Sequence, residues 1–333
     1  MSRSFAPPPR ERGAALLAVL VLVAITGAIA AAALEKLRLS TASARNVVSL
    51  DLARGFAGGI ESLVLVTIED RLVQSPERTT LAGGWNGATR QVPMPVGGGV
   101  ALATVSDGGN CFNINSVAQG EGVASLASRP SGIQQFAGLM TVLEIPEREA
   151  RAIAEAAADW VDVDSERLPN GAEDVDYASG ERPYRTGNTL FAEPSELRAL
   201  RGVTPQIYER LRPWVCALPT TQLSPININT LLPTQAPLLA MLAPAQLSIA
   251  EARRVIDARP ANGWANQIEF WRTEALSEID VPLDVRLQPQ VRTRWFAIDL
   301  RIEMQGAEMI ESALVDASAT PARVVSRRWG SDG

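Results

Sequence analysis

A long apolar segment dominates the hydrophobic pattern near the N-terminus of the chain. Residues 14–34 carry no charged side chain over 21 consecutive positions. A helix of that length rises about 30 Å, which is the thickness of the hydrocarbon layer of a bilayer. The pattern therefore predicts a transmembrane segment at residues 14–34.

Helical spacing of apolar residues continues beyond this segment. No proline occurs between residue 35 and Pro76, and apolar side chains recur every three or four positions through that stretch. The simplest interpretation is one helix of about 55 residues. Its first half lies in lipid, and residues 35–74 continue into a folded head.

The pattern changes twice after the long helix. Residues 75–99 are rich in glycine and proline, so we expect a loop there. Residues 100–106 resemble a strand, a mostly helical region follows, and from Val291 the apolar residues alternate as in strands. The expected helices cover residues 133–143, 147–161, 195–200, 205–214 and 248–258, and the expected strands fall within 295–304, 309–315 and 323–329.

The residues before the apolar segment are basic and end in glycine. Three arginines oppose one glutamate in residues 1–13, so the N-terminus should be cytoplasmic and the remainder exported. An Arg-Gly pair directly before the apolar segment resembles the class III leader of type IV pilins and pseudopilins. In that family the prepilin peptidase cuts after the glycine, here Gly13, and the new N-terminal residue, here Ala14, is methylated.

One position departs from the usual pilin pattern. The family usually has glutamate at the fifth mature position, where this chain has Ala18. A carboxylate inside a bilayer is costly unless a cation neutralises it, and in the family that cation is the amino terminus of the preceding subunit. A subunit that starts a filament has no predecessor, so the missing glutamate points to the tip.

The composition excludes several kinds of active site. The sequence contains no histidine, and its single lysine is Lys36, so a histidine base, a histidine zinc ligand and a Schiff-base lysine are largely ruled out. The net charge of −6 argues against nucleic acid as the main partner. Both cysteines, Cys111 and Cys216, lie in the exported part, where we expect them to form a disulfide.

Several short motifs follow one another after the long helix. They are Cys-Phe-Asn-Ile-Asn at 111–115, Asp-Trp-Val-Asp-Val-Asp at 159–164, Gly-Ala-Glu-Asp at 171–174, Pro-Tyr at 183–184, Ser-Glu-Leu-Arg at 195–198, Arg-Gly-Val-Thr at 201–204 and Pro-Ile-Asn-Ile-Asn-Thr at 225–230. In sequence and order they resemble type II secretion system protein K, a family of large minor pseudopilins. The resemblance extends from Gly13 to about Trp271, and the family also lacks the fifth-position glutamate.

The element order and the resemblance together predict an α+β fold. A pilin-like long N-terminal transmembrane helix would pack on a small antiparallel sheet formed by residues 75–110 and 285–333. A large all-α domain with two SAM-like or helix-hairpin-helix-like subdomains would be inserted at residues 111–284. Residues 1–13 would be the leader.

The resemblance also implies a role in protein secretion rather than catalysis. The chain would be a single-pass inner-membrane protein with a periplasmic head, and it would start and cap a pseudopilus together with the minor pseudopilins I and J. Further expected partners are other pseudopilins, the inner-membrane assembly platform, the prepilin peptidase and secreted exoproteins.

An acidic segment has the spacing of a calcium loop. Carboxylates occupy positions 1, 3, 5 and 12 of an EF-hand-like pattern and an asparagine occupies position 9, although Arg167 replaces the glycine at position 6. The alternative is a solvated acidic loop, but the family resemblance implies bound Ca²⁺. The predicted ligands are Asp162, Asp164, Glu166, Asn170, Glu173, Asp174 and Asp176.

Two interpretations from other classes stay open at this point. Residues 200–205 resemble a helix-hairpin-helix, and residues 227–230 followed by residues 252–259 resemble exported DNA receptors of competence systems. The turns of these two hairpins are Gly202-Val203-Thr204 and Ala243-Pro244-Ala245. DNA-binding hairpins use a Gly-x-Gly turn, which neither turn has, so we expect no nucleic acid partner. The pair Asp162 and Asp164 could also serve a glycosidase, but nothing else in the sequence predicts a cleft.

Mass spectrometry of the N-terminal peptide tests the leader prediction. We expect the mature chain to begin at Ala14 with an N-methyl group. A chain that retains Met1 would be an uncleaved signal anchor, and a start within residues 30–34 would indicate a secretory signal peptide. Either outcome would contradict the prepilin interpretation.

Overall fold

The computed structural model describes residues 9–94, 99–179, 183–304 and 307–330. Most of the predicted leader therefore lies outside the described residues. The helices are α1 (Pro9–Gln74), α2 (Pro130–Val142), α3 (Glu147–Val161), α4 (Asp174–Ala178), α5 (Pro205–Leu211), α6 (Ala236–Ala240), α7 (Ile249–Asp257), α8 (Gln267–Trp271) and α9 (Leu283–Arg286). The strands are β1 (Ala88–Pro93), β2 (Val100–Asp107), β3 (Phe112–Asn113), β4 (Ala118–Gln119), β5 (Ala127–Ser128), β6 (Val215–Cys216), β7 (Trp295–Met304), β8 (Ala307–Asp316) and β9 (Arg323–Trp329).

The predicted long helix is present as α1, which extends over 66 residues. It is longer than predicted because it also includes the end of the leader segment. Among the described residues, Gly13–Gln74 is the one helix that is long and apolar enough to cross a membrane. Its apolar half is not buried against the rest of the protein, which fits a membrane anchor.

The second half of α1 packs on a sheet through a single stripe of side chains. The buried hydrophobic residues in this stripe are small or aliphatic and recur at helical spacing: Ala53, Ala57, Ile60, Ile68 and Leu72. Opposite them, alternate residues of β7 from Phe296 to Met304 are buried in the same hydrophobic cluster. Every second residue of β7 and the helically spaced residues of α1 therefore point into the same core.

The sheet has five antiparallel strands in the order β1-β2-β7-β8-β9. The expected loop at 75–99 is wrong over Ala88–Pro93, which forms the edge strand β1. Proline and glycine suggested a loop, but Pro93 ends an edge strand, where a missing N–H group leaves no sheet hydrogen bond unmade.

A helical domain is inserted between β2 and β7, although these two strands are neighbours in the sheet. The domain has its own hydrophobic cluster, distinct from the cluster beneath α1. Two of its longer helices, α2 and α3, pack against each other. The predicted α+β architecture, with a long helix, an antiparallel sheet and an inserted helical domain, is thus confirmed.

The predicted disulfide between Cys111 and Cys216 is also present, with a Cα–Cα distance of 5.8 Å across 105 residues of sequence. It lies where β3 pairs in parallel with β6. The disulfide therefore ties the start of the inserted domain to its middle.

A buried polar network joins the sheet to the inserted domain. At the end of β2, Asp107 Oδ2 accepts hydrogen bonds from Thr230 Oγ1 at 2.6 Å and Thr293 Oγ1 at 2.5 Å. Its Oδ1 accepts one from the Gly109 amide at 3.0 Å. Because three donors from three segments meet on one carboxylate, Asp107 fixes the inserted domain relative to the sheet.

Asn227 extends this network to the end of α1. Its side-chain amide donates to the Thr79 carbonyl at 3.1 Å and to Thr293 Oγ1 at 2.8 Å, and its backbone amide donates to Asn110 Oδ1 at 2.9 Å. We call these residues (Thr79, Asp107, Gly109, Asn110, Asn227, Thr230 and Thr293) the sheet–domain joint.

The joint predicts a specific pH dependence of stability. Burial, only partly offset by its hydrogen bonds, raises the pKa of Asp107 to about 6. The folded state then holds this proton more tightly than the unfolded state does. The tighter proton binding of Asp107 adds at most about 3 kcal/mol to the free energy of unfolding. This contribution is fully present below about pH 4 and is lost as the pH rises through about 6.

We therefore expect the free energy of unfolding of the wild type to rise relative to that of Asp107→Asn as the pH falls from about 7 to about 4. Denaturant titration of both full chains in detergent measures the difference. Asp299→Asn is the control, since Asp299 is exposed on the outer face of β7. Parallel pH profiles for the wild type and Asp107→Asn would show that Asp107 does not titrate in this range.

Candidate functional site

The acidic loop, residues 162–173, connects the end of α3 to the start of α4. The Asp162 backbone amide donates to the Ala158 carbonyl at 2.9 Å, so the loop leaves directly from the last turn of α3. At its other end Glu173 is the N-cap of α4, and its backbone amide donates to Asp176 Oδ2 at 3.1 Å. The loop thus returns its last carboxylate to the end of the helix from which it started.

Three carboxylates converge across this loop. Oxygens of Asp162, Asp164 and Glu173, here called the carboxylate triad, all lie within 4.8 Å of one another. Asp162 and Glu173 are buried, and Asp164 is exposed. Asp162 Oδ1 and Glu173 Oε1 have no hydrogen-bond partner among the described residues.

These two orphaned oxygens fit a bound cation. A buried carboxylate oxygen without a donor is costly, and a hard divalent ion removes the cost by direct coordination. Oxygen ligands at this density are the set that Ca²⁺ prefers. The chain can thus supply at least three carboxylate ligands at one point, two of them already withdrawn from water.

The electrostatics of the triad agree with this arrangement. Burial, together with the carboxylates of Asp164, Asp159 and Glu173, raises the pKa of Asp162 to about 7. Burial and neighbouring acids also raise the pKa of Glu173. A divalent cation would replace the proton that Asp162 otherwise retains near neutral pH.

Two further predicted ligands are engaged elsewhere. Asp174 Oδ1 accepts hydrogen bonds from the Thr186 amide at 2.9 Å and from its hydroxyl at 2.8 Å. Asp176 Oδ1 forms ion pairs with Arg167 at 3.3 Å and Arg201 at 2.9 Å. These two aspartates hold neighbouring segments in place and are not part of the triad.

The remaining two predicted ligands also lie apart from the triad. Glu166 is exposed, and its contact with the loop is a backbone amide that donates to Asp164 Oδ1 at 2.8 Å. Asn170 donates from its backbone and side-chain amides to Glu155 Oε2, at 2.6 and 3.1 Å. Of the EF-hand-like positions, the structure brings together 1, 3 and 12 but not 5 or 9.

Asp159 holds the acidic loop in place. It is fully buried, and the ligand prediction did not include it. Asp159 accepts hydrogen bonds from the Leu168 amide, at 3.2 Å to Oδ1 and 3.3 Å to Oδ2. A Cβ at Gly171 would lie 1.9 Å from Asp159 Oδ2, so only glycine fits there. The signal in the sequence was the glycine two residues before Glu173, which makes room for this support.

Each of the two hairpin turns has one close contact with a helix of the inserted domain. Gly202 adopts φ 89°, and a Cβ there would lie 3.3 Å from Ile153 of α3. In the second turn Pro244 lies against Gly138 of α2, where a Cβ would come within 2.6 Å of the proline ring. Gly202 and Ala245 are nevertheless exposed, so the feature that separates these turns from DNA-binding hairpins is their lack of a Gly-x-Gly sequence.

Comparisons with known proteins agree on one family. Two family models described as "Type II secretion system (T2SS), protein K" match this chain, one over residues 110–220 and the other over residues 226–291. Type II secretion system protein K of Klebsiella pneumoniae is 35% identical over 322 residues, covering 96% of this chain and 97% of the relative. The protein of the same name from Pectobacterium carotovorum is 33% identical with the same coverage.

A solved structure resembles the fold as well. A chain in the crystal structure of the GspK-GspI-GspJ complex from the enterotoxigenic Escherichia coli Type 2 Secretion System superposes with a TM-score of 0.71 and 29% sequence identity. The match covers 83% of this chain and 95% of that chain.

We propose that the carboxylate triad binds Ca²⁺. The ion should raise the melting temperature of the full chain in detergent, because a ligand at 100 times its Kd stabilises the native state by about 2.7 kcal/mol. Glu173→Gln, which removes a buried ligand, should abolish most of this increase. The increase should also shrink below about pH 7, since protons then compete for the raised-pKa carboxyls.

Glu166→Gln is the matched control for the calcium prediction. It removes the same charge from the same loop, but from a side chain outside the triad. An equal loss in both variants would mean that charge density alone attracts the ion. A wild-type melting temperature that calcium and chelator leave unchanged would refute the site.

Proposed function

This chain belongs to the family of type II secretion system protein K, and from that membership we propose that it starts and caps a periplasmic pseudopilus. In this role it would be a minor pseudopilin that takes part in the export of folded proteins across the outer membrane. The observation that carries the proposal is the position of the inserted domain at the far end of α1.

The inserted domain attaches beyond the last turn of α1. The Thr79 amide donates to the Val291 carbonyl at 2.8 Å, and Arg78 donates to the Asn262 carbonyl at 3.4 Å. From Leu34 to Gln74 the helix rises about 60 Å at 1.5 Å per residue. The bulk of the domain is therefore held far from the membrane segment, where a subunit stacked above this one would have to pack.

Steric exclusion supports the tip position. In a filament of stacked pilin-like subunits, each α1 is surrounded by the helices of its neighbours. A subunit whose head carries a second domain with its own core leaves no space for a predecessor beyond that end. Such a subunit fits where the stack terminates.

Ala18, which lies in the membrane segment, also supports the tip position. At the fifth mature position it carries no carboxylate, so it needs no amino terminus from a preceding subunit. The membrane segment and the inserted domain thus each favour a subunit with no predecessor in the filament.

The proposed partners are those of the secretion machinery. The solved complex that resembles this chain contains GspK, GspI and GspJ, and we propose the corresponding minor pseudopilins I and J as its partners at the tip. Other pseudopilins, the inner-membrane assembly platform, the prepilin peptidase and exported proteins are the further partners of this role.

The proposed topology is a single span with the N-terminus in the cytoplasm and the head in the periplasm. The one candidate membrane helix among the described residues supports a single span, and the arginines before it support this orientation. The Cys111–Cys216 disulfide supports an oxidising compartment for the head.

We propose no catalytic activity and no nucleic acid partner. The chain has no histidine, and the carboxylate triad has the donor set of a structural calcium site. A competence-type DNA receptor is the alternative from another class. The absence of a Gly-x-Gly sequence from both turns and the net charge of −6 speak against it.

The substitution Ala18→Glu tests the tip position. If this subunit has no predecessor, the new carboxylate finds no amino terminus and costs a few kcal/mol in the bilayer, less if it is protonated. We expect secretion, and crosslinking of this chain to pseudopilin J, to be unchanged or reduced at native expression.

A shaft subunit would respond in the opposite direction, because glutamate would restore a charge pair with its predecessor. Ala24→Glu is the control, since it places a carboxylate deeper in the same span, where neither position in the filament offers a partner. A clear gain in secretion and crosslinking for Ala18→Glu, but not for Ala24→Glu, would place this chain within the shaft.

A further inference from the structure

A buried carboxylate lies between α1 and the sheet without a donor of its own. Glu311 is in the middle of β8, faces α1 and is 1% exposed. Neither of its carboxylate oxygens accepts a hydrogen bond from the part of the chain that the structure describes. An ionised carboxylate in this environment would be strongly destabilising.

The nearby cation is bound to a different carboxylate. Arg327 of β9 donates from Nη2 to both oxygens of Glu61 on α1 at 2.7 Å, and from Nε to Glu61 Oε2 at 3.0 Å. Its Nε lies 3.3 Å from Glu311 Oε1 but makes no well-directed hydrogen bond there. Two buried carboxylates therefore share one guanidinium, and that guanidinium neutralises Glu61.

Among the described residues, the other elements around Glu311 offer no charge. Its cross-strand neighbours are Leu300 on β7 and Trp329 on β9. The charged groups that face it are thus Glu61 from α1 and Arg327 from β9. With one positive and two potential negative charges, one proton is sufficient to make the cluster neutral.

We propose that Glu311 is a protonated carboxylic acid at neutral pH, that it donates its hydrogen to Glu61, and that this shared proton closes the contact between α1 and the sheet. The arrangement is a pH-sensitive latch between the membrane helix and the head. It depends on this packing alone and is independent of the tip position and of calcium.

The direction in which pH changes the stability follows from the proton that Glu311 carries. Burial and the neighbouring Glu61 carboxylate raise the pKa of Glu311. The folded state therefore binds this proton more tightly than the unfolded state. Its contribution to stability is complete below the ordinary pKa of glutamate and is lost as the pH rises through the raised value.

Glu311→Gln tests the latch because an amide has the shape of the neutral acid and can donate to Glu61 in the same way. We expect the full chain with Glu311→Gln, in detergent, to fold and to melt at or near the wild-type temperature at about pH 5. Its advantage over the wild type should then grow to several degrees by about pH 9, because the amide has no proton to lose.

Glu308→Gln is the matched control on the same strand. Glu308 is exposed on the outer face of β8, where it pairs with Arg301 at 2.8 Å. This variant should show the same pH profile as the wild type. Infrared spectroscopy at neutral pH provides the second readout, since a protonated carboxyl has a C=O stretching band distinct from that of a carboxylate.

The proposal requires both the pH-dependent melting of Glu311→Gln and the infrared result. The carboxylic acid band must be weaker in Glu311→Gln than in the wild type and must persist in Glu308→Gln. An unchanged band, or melting of Glu311→Gln below the wild type across the whole pH range, would show that Glu311 is an ionised partner of Arg327. Failure of Glu311→Gln to fold while Glu308→Gln folds would overturn the latch as well, because a neutral mimic should be accommodated.

Discussion

A single helix, α1, has one half suited to lipid and the other half packed in the head, and the rest of the structure depends on that constraint. Residues 14–34 of α1 are apolar on every face because hydrocarbon surrounds them. Beyond residue 49 the same helix buries a single stripe on the sheet and leaves its other faces exposed. Because no break separates the two halves, the sheet must build its core on the stripe that α1 offers. The docking of this stripe therefore fixes the orientation of the head relative to the second half of α1.

The inserted domain adds a second constraint, since it must be rigidly attached without sharing the core of the head. The two hydrophobic clusters are separate, so the connection between them is polar. The sheet–domain joint meets this need with hydrogen bonds that converge on Asp107 and Asn227. Hydrogen bonds are directional, so a few of them fix an orientation that apolar contact alone would leave free to slide. At the other end the disulfide closes the domain upon itself.

The sequence determined the architecture more fully than it determined the ligands, for physical reasons. The long helix and strands β7 to β9 could be predicted because burial imposes a period that residues display locally. Strand β1 was missed because its edge position tolerates Pro93, which composition alone assigns to a loop. In the acidic loop, spacing identified Asp162, Asp164 and Glu173 but could not separate them from Asp174 and Asp176. That separation depends on Thr186 and Arg201, distant in sequence, and on the room that Gly171 leaves for Asp159.

The buried carboxylates of this protein show why an orphaned acid is informative. Asp107 has three donors from the chain, and Asp176 has two arginines, so each is satisfied internally. Glu311 and the carboxylate triad are not, and their charge counts distinguish what each requires. The cluster of Glu61, Glu311 and Arg327 carries one excess negative charge, which a single proton cancels. The triad brings three carboxylates together with Asp159 close by, so neutralising it with protons would take several protons in a small space. One divalent cation that coordinated all three would neutralise them together, and from this difference we propose a proton beneath α1 and calcium in the loop.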